Sequence, residues 1–421
     1  MQNISKKIDT YNSFVNGCDE CLNYITYQYP YDFGFLKDKK NLNSAWFANF
    51  ILFFAIFIEK YMVLLEDEKY ARCFTSIAGK SLKEKKDNLR KLRNYLMHGS
   101  FYFEYENYGN IPEIVLTDNE GEKVISFNSI SNLYNEIVSV IFMLNSKKTS
   151  SEKAEDCRLE YALFNNMNKI SRLIKSDVFT KYEEYNPGYS YYYNDMTTAA
   201  VLVNFYATYN YGLETIFGPN MATVGDEQDF LKRVIESEYV DFSEFNFDLM
   251  DVKVSKNVSL VRTMPNQRKE FAEDNIEGII NALFTKITSG YIPEKYDYLF
   301  GKDINKIVNV CTDSVASMIR KFLDKIKALD LFFKEKYGQY ADNFNTLFHL
   351  RNSYAHARIK IPNTEENYSG NILFVDRRGK RKTFEALVSS DDFMNAIFYD
   401  NRKIIENFID DSMSNGILIT R

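Results

Sequence analysis

An internal repeat constrains the fold of this 421-residue chain more than any other feature of its sequence. The six residues Arg93–His98 read Arg-Asn-Tyr-Leu-Met-His, and the same pattern of Arg, Asn and His returns at Arg351–His356 (positions 93 and 351, a spacing of 258). Two of the three histidines in the chain close these six-residue words. The same spacing relates two further pairs of positions downstream, Asp118 to Asp376 and Gly121 to Gly379. A repeat of this kind predicts two copies of one structural unit.

The repeat also extends upstream of the words, with a spacing of 265 (positions 59 and 324). There, Tyr31–Asp38 aligns with Tyr296–Asp303, and the acidic residue Glu59 aligns with Asp324. We therefore predict a first copy over residues 1–147, a middle region over 148–265 and a second copy over 266–421. Each copy is expected to form a helical bundle, and a pseudo-twofold axis is expected to relate the two.

The periodicity of apolar residues predicts a mainly α fold with a small β-hairpin insert in each copy. In the first copy, the pattern predicts helices over 42–66, 81–98 and 130–144, and strands over 101–105, 113–117 and 123–127. The second copy predicts helices over 304–337, 342–357 and 391–413, and strands over 358–361, 371–375 and 381–385. The middle region is expected to be mostly helical, with a helix over 153–174, a hairpin over 249–263 and a Tyr-rich stretch over 182–194.

Composition and charge exclude several classes of protein. The formal charge of −6 argues against a surface that is basic overall and built to hold a long nucleic acid. The apolar run 46–58 is too short to span a bilayer and predicts a buried helix. Cys18 and Cys21 have no second pair and no neighbouring His, so they indicate reduced core thiols rather than a zinc site. We expect a cytoplasmic protein with no membrane contact, no metal and no cofactor.

The words themselves suggest acid–base chemistry on a phosphate ester. Residues four apart lie on one face of a helix, so Asn94 lies beside His98 and Asn352 beside His356. Arg binds phosphate oxygens with two parallel donors, and His titrates near neutral pH. RNA carries its own nucleophile, the 2′-hydroxyl, so its cleavage needs a base, an acid and a cation. One word supplies half of this set, so we expect both helices to face one shared site. The helix dipole is expected to favour the imidazolium form of His98.

Arg-Asn-x-x-x-His late in a helical domain, with an acidic residue on the preceding long helix, resembles the signature of the HEPN superfamily. The resemblance covers about 1–147 and 266–421. Active members are metal-independent endoribonucleases of toxin, abortive-infection and CRISPR systems. For this chain we expect RNA cleavage that leaves 2′,3′-cyclic phosphate and 5′-hydroxyl ends. The resemblance implies catalytic roles for four residues, namely Arg93, His98, Arg351 and His356. It implies supporting roles for four others, namely Asn94, Asn352, Glu59 and Asp324.

Other readings of these residues stay open. The two asparagines also fit a role in capping or fastening the hairpins, and Glu59 and Asp324 also fit structural ion pairs. His349 has no counterpart in the first copy and is expected to be structural, while Asp376 and the other downstream repeat positions are expected to be turn residues. A basic turn beside the second word either contacts RNA or is simply solvated; it comprises Arg377, Arg378, Lys380, Arg381 and Lys382.

Alternatives also remain at the level of the whole protein. The chain fits a non-catalytic RNA-binding or protein-interaction module that uses the fold structurally. It also fits a compact CRISPR-associated ribonuclease, although it is short and acidic for one. A regulatory protein or a phage-derived trigger is a further expected partner, sensed by the middle region. The chain is expected to be a monomer with an internal pseudo-dimer, or a homodimer.

Overall fold

The computed structural model describes residues 4–27, 38–67, 70, 73–105, 111–118, 121–145, 150–174, 192–212, 328–338, 346–362 and 370–395. These residues are mainly helical with small antiparallel sheets, which confirms the prediction of a mainly α fold. The expectations for the hairpin over 249–263, for the helices before residue 328 and beyond residue 395, and for Asp324 lie outside them.

The first copy is built around a central buried helix. Helix α1 (Ile4–Tyr27) packs along α2 (Lys39–Tyr61), and every residue of α2 from Leu42 to Ile58 is buried. A helix that is apolar on all sides is typical of a protein core or a membrane span. Here, 94% of its most apolar 18-residue window lies inside the protein. The predicted burial of the run 46–58 is therefore observed.

Helix α3 (Leu82–Met97) carries the first word. It begins with a capping box, in which the Ser81 hydroxyl accepts from the Glu84 backbone N–H and the Glu84 carboxylate accepts from the backbone of Ser81. Three strands follow, β1 (Phe101–Tyr105), β2 (Pro112–Asp118) and β3 (Gly121–Ser126), and then α4 (Phe127–Asn145). The chain therefore turns from helix to sheet directly after the first word.

The described part of the second copy repeats this order. Helix α7 (Thr346–Ala355) carries the second word and is followed by β4 (Ile359–Lys360), β5 (Asn371–Arg378) and β6 (Arg381–Ser389), then the short helix α8 (Ser390–Met394). Each copy therefore forms a three-stranded antiparallel sheet in sequential order, one strand more than a simple hairpin.

The two sheets also share one register. Phe101 pairs with Leu116 in the first sheet, and Ile359 pairs with Phe374 in the second, so both partners are shifted by the same 258 positions. Leu116 and Phe374 are both buried, because alternate side chains of a strand face the core. The repeat predicted from sequence is thus observed as a repeat of strand pairing.

Helices from the middle region lie in the same core. Helix α5 (Ser150–Ile174) packs against α2, and α6 (Tyr192–Phe205) packs against both α1 and α5. A buried bidentate ion pair fastens them, with Arg158 Nη2 at 2.6 Å from Asp195 Oδ1 and Nε at 2.9 Å from Oδ2. A π-helical turn, Tyr206–Tyr211, continues α6. Buried side chains from all three predicted segments form one continuous cluster.

Candidate active site

Both words end their helices with the same hydrogen-bond pattern. In the first word, the backbone N–H of Ser100 donates to Tyr95 O at 2.9 Å, and that of Gly99 donates to Leu96 O at 3.4 Å. Gly99 has φ 61°, as the residue after the helix cap does in a Schellman motif. His98 is therefore the C-cap, at the carbonyl end of α3.

The second word reproduces this ending without a glycine. Arg358 N–H donates to Ser353 O at 2.7 Å, and Ala357 N–H donates to Tyr354 O at 2.8 Å. Ala357 has φ 50°, a left-handed conformation that costs a non-glycine residue about 1–2 kcal/mol. The backbone therefore holds His356 in the same position, relative to its helix, as His98.

The two words contact each other across the copies. Arg351 Nη2 lies 2.9 Å from His98 Nδ1, and Arg93 Nη1 donates to the carbonyl oxygen of Ala355 at 3.3 Å. Each arginine thus reaches the opposite word, although the two contacts use different acceptors. The words lie against each other within a single chain, as a shared site requires.

The contact with Arg351 fixes the tautomer of His98. A guanidinium can only donate, so Nδ1 of His98 accepts and its proton lies on Nε2. An imidazolium would carry a proton on Nδ1 and lose this hydrogen bond. The contact therefore requires the neutral ring, and the expected effect of the helix dipole on His98 stays a prediction.

Part of the His356 surface is open to solvent, and the rest is covered near several charged groups. Partial burial and the positive charges of Arg358, Arg93 and Arg351 lower its pKa, and the carboxylate of Glu59 opposes them. A lowered pKa keeps the imidazole neutral at a pH where an ordinary histidine begins to charge. His356 is therefore available as a proton acceptor near neutral pH.

Glu59 lies at the site as the resemblance implied, but its ion-pair partner is a residue that the repeat did not single out. Arg358 Nε lies 3.4 Å from Glu59 Oε1. Burial lowers the pKa of the Arg93 guanidinium, and the charge of Glu59 opposes that effect, so the carboxylate also acts on Arg93. Arg358 aligns with Ser100 in the first copy, and for that reason the comparison of the copies missed it.

The two asparagines of the words have different surroundings. Asn94 is exposed, whereas Asn352 is half-buried and its Oδ1 accepts from Arg351 Nη1 at 3.2 Å. The side chain of Asn352 also hydrogen-bonds Asp376. Asn352 therefore links a catalytic candidate to a buried carboxylate, and a supporting role fits it better than it fits Asn94.

Asp376 was predicted to be a turn residue, and this is wrong. It lies within β5, is 5% exposed, and its Oδ2 is 2.9 Å from Nδ1 of His349. The second hairpin is longer than the first and has a register shift after Asp376, which moves the turn to Gly379. Burial alone raises the pKa of Asp376, but hydrogen bonds from His349 and the Arg377 backbone bring it below its usual value. His349 is buried, as a structural role predicts.

The predicted basic turn lies at the tip of the second sheet. Its five side chains are all exposed, and the Lys382 ammonium pairs with Glu385. Arg358 Nη1 donates to the carbonyl oxygen of Arg377 at 3.4 Å, so the turn contacts an arginine whose charge acts on His356. The structure thus places this positive surface next to the words.

The cysteine pair is not a reactive site. Cys18 and Cys21 are buried in α1, and burial raises the pKa of both thiols, so they stay protonated. Within the described part of the chain, no group of three or more His, Cys, Asp or Glu side chains is placed to hold a metal ion.

Sequence reasoning also missed Asn210, which comes from the middle region. Its Nδ2 donates to Met97 O at 2.8 Å, and its Oδ1 accepts from Arg351 Nε at 3.3 Å. No periodicity or repeat marks this residue. The only local signal is an asparagine inside the apolar and aromatic stretch that follows α6.

The comparisons with known proteins bear on the second copy. Residues 225–412 match the family model described as HEPN pEK499 p136. This range contains the second word, and the first word lies outside it. The comparisons with curated proteins and with solved structures gave no match. The matched part of the chain is similar to this HEPN family, which supports the chain as a member of the HEPN superfamily.

Proposed function

We propose that this protein is a metal-independent endoribonuclease with one composite site made from the two words. The observation that carries the proposal is the pair of reciprocal contacts, Arg351 to His98 and Arg93 to the backbone beside His356. The HEPN match supports a nuclease-related role for the second copy. The shared helix ending and sheet register support a first copy of the same kind.

The proposed reaction begins with the 2′-hydroxyl of the substrate. His356 takes the hydroxyl proton, because its neutral form is favoured by the arginines around it. The 2′-oxygen then attacks phosphorus, and the bond from phosphorus to the 5′-oxygen breaks. The leaving 5′-oxygen takes a proton from solvent, and the Nε2–H of His98, the nitrogen that Arg351 leaves protonated, donates a hydrogen bond to it. His356 then releases its proton to solvent, so no net proton is consumed.

Charge stabilisation falls to the arginines. Arg93 is half-buried, and its charge and that of Arg358 both act on His356, so we assign both guanidinium groups to the phosphate oxygens. Preorganised donors of this kind typically contribute about 10²–10³ in rate. The exposed cations of the basic turn extend this positive surface, which allows an acidic protein to bind RNA locally. Glu59 holds Arg358 in place through its ion pair.

The test is cleavage of a labelled RNA in the presence of EDTA, with the product ends identified. We expect 2′,3′-cyclic phosphate and 5′-hydroxyl ends, and loss of cleavage by at least about 10² in Arg93→Gln. A matched control is Arg172→Gln, an exposed arginine on α5 that should cleave as wild type does. Loss of all wild-type activity on chelation would overturn the metal-independent mechanism.

The cellular setting we propose is cytoplasmic defence or toxin action, with an invader-derived or protein trigger as regulator. The HEPN resemblance supports this setting, because its active members belong to such systems. The cleavage test also distinguishes a ribonuclease from the main alternative, a non-catalytic binding module. RNA binding with no cleavage under any condition would indicate such a module. Dependence of cleavage on an added guide RNA would instead indicate a compact CRISPR-associated enzyme.

A further inference from the structure

We propose that Asn210, on the π-helical turn of the middle region, is a positioning residue that holds His98 and Arg351 in register. The expected effect of Asn210 on the rate of RNA cleavage rests on the proposed function. The expected effect of Asn210 on the tautomer of His98 is testable without any RNA.

Asn210 closes a ring of contacts. It is fully buried, and both polar atoms of its amide are used. Nδ2 donates at 2.8 Å to the carbonyl of Met97, the residue before His98, and Oδ1 accepts at 3.3 Å from Nε of Arg351. Nη2 of the same guanidinium donates at 2.9 Å to His98. One amide therefore links the backbone beside His98 to the cation that sets the tautomer of His98.

Tyr206, on the same turn, connects the two words by a second route. Its hydroxyl donates to the carbonyl of Leu96, inside the first word. Its ring stacks on Tyr354 of the second word, with centroids 5.9 Å apart and an interplanar angle of 16°. Tyr206 thus orients the turn against both helices, and Asn210 then meets the carbonyl and the guanidinium together.

The chemistry of the amide explains why this position suits asparagine. The Met97 carbonyl needs a donor, and Arg351 Nε needs an acceptor, and a primary amide supplies both at once. Leucine has a similar size but supplies neither. The π-helical turn is a rare conformation that occurs often at functional sites, and here it places the amide between the two words.

The experiment uses full-length protein in which only histidine is labelled with ¹⁵N. The chain has three histidines, so His98 can be assigned with single substitutions. The nitrogen shifts report which ring nitrogen carries the proton. We expect wild-type His98 to be the Nε2–H tautomer, and Asn210→Leu to give a mixture of tautomers. In RNA cleavage, kcat should fall about 10–100-fold with KM within about twofold, as misplacement of a catalytic group predicts.

Tyr211→Phe is the matched control. It removes another buried hydrogen bond of the same turn, from the tyrosine hydroxyl to Phe101 O at 2.9 Å, outside the words. It should leave the His98 tautomer and kcat as in wild type. If Asn210→Leu does not fold, Asn210→Ser serves as the smaller change with the same expectations.

Two outcomes separate this inference from the proposed function. If wild-type protein cleaves no RNA but Asn210→Leu still changes the His98 tautomer, the ribonuclease proposal fails and the positioning role stands. If wild-type protein cleaves RNA and a folded Asn210 variant keeps both the wild-type tautomer and the wild-type kcat, the positioning role is overturned.

Discussion

Replacing Arg351 and His98 singly and together measures the contact that joins the two words. Arg351 is 3% exposed, so water competes weakly for its guanidinium, whereas His98 is half-buried. A hydrogen bond to a charged group contributes about 1.5–3 kcal/mol to stability. Partial exposure of His98 places the expected coupling energy near the lower limit, about 1.5 kcal/mol. The double variant Arg351→Met/His98→Ala should therefore be more stable, by this amount, than the sum of the single changes predicts.

The assay is urea unfolding of the four proteins, well above the usual imidazole pKa of about 6.5 so that Nδ1 can accept. Buried side chains of both words belong to one core cluster, so one transition should report on the contact. The control cycle replaces Lys6, whose partner Glu104 lies outside the words, together with Arg351, and should be additive. Additivity within about 0.5 kcal/mol in the Arg351/His98 cycle would refute a direct contact between the words.

Four further changes have expected outcomes that follow from charge and backbone geometry. The Glu59 carboxylate raises the pKa of His356, so Glu59→Gln should move the acid limb of the pH–rate profile to lower pH. The Arg358 guanidinium lowers this pKa, so Arg358→Gln should move the acid limb to higher pH. Replacing three cations of the basic turn with glutamine should raise KM, leave kcat unchanged and reduce the logarithmic salt dependence of RNA binding by about 0.7 per contacted phosphate lost. Gly99→Ala should lower the free energy of unfolding in urea by at least about 1 kcal/mol, because φ there is 61°. The residues replaced in the basic turn are Arg378, Lys380 and Arg381.

Much of the fold was predictable from sequence because the internal repeat and the periodicity of apolar residues indicate the same helices and strands. The strand over 101–105 has the predicted bounds, and the helix before it ends at the predicted word. Alternation of buried residues fixed the sheet register, so Leu116 and Phe374 occupy equivalent positions. The π-helical turn was not predictable, because its place depends on distant partners such as Leu96 and Tyr354 rather than on a local period.

The candidate site was likewise predictable from the sequence only in part. The sequence identified the two words that contact each other, but identical residues of the two words have different surroundings. Asn352 bonds Arg351 and Asp376, whereas Asn94 is exposed. Asp376 lies in strand β5 and not in the predicted turn, because the second hairpin is longer than the first. Arg358 was not predicted because it aligns with Ser100 in the first copy, and Asn210 was not predicted because it lies outside both copies. Only packing brings them to the words.

We propose that both words form one RNA-cleaving site. The most direct measurement compares RNA cleavage by wild-type protein, His98→Ala, His356→Ala and the double variant, all in EDTA. A shared site predicts that each single change lowers the rate by at least about 10² and that the double change adds little, since each histidine serves the same reaction. Two single variants that each retain about half of the wild-type rate, with activity lost only in the double variant, would contradict a shared site.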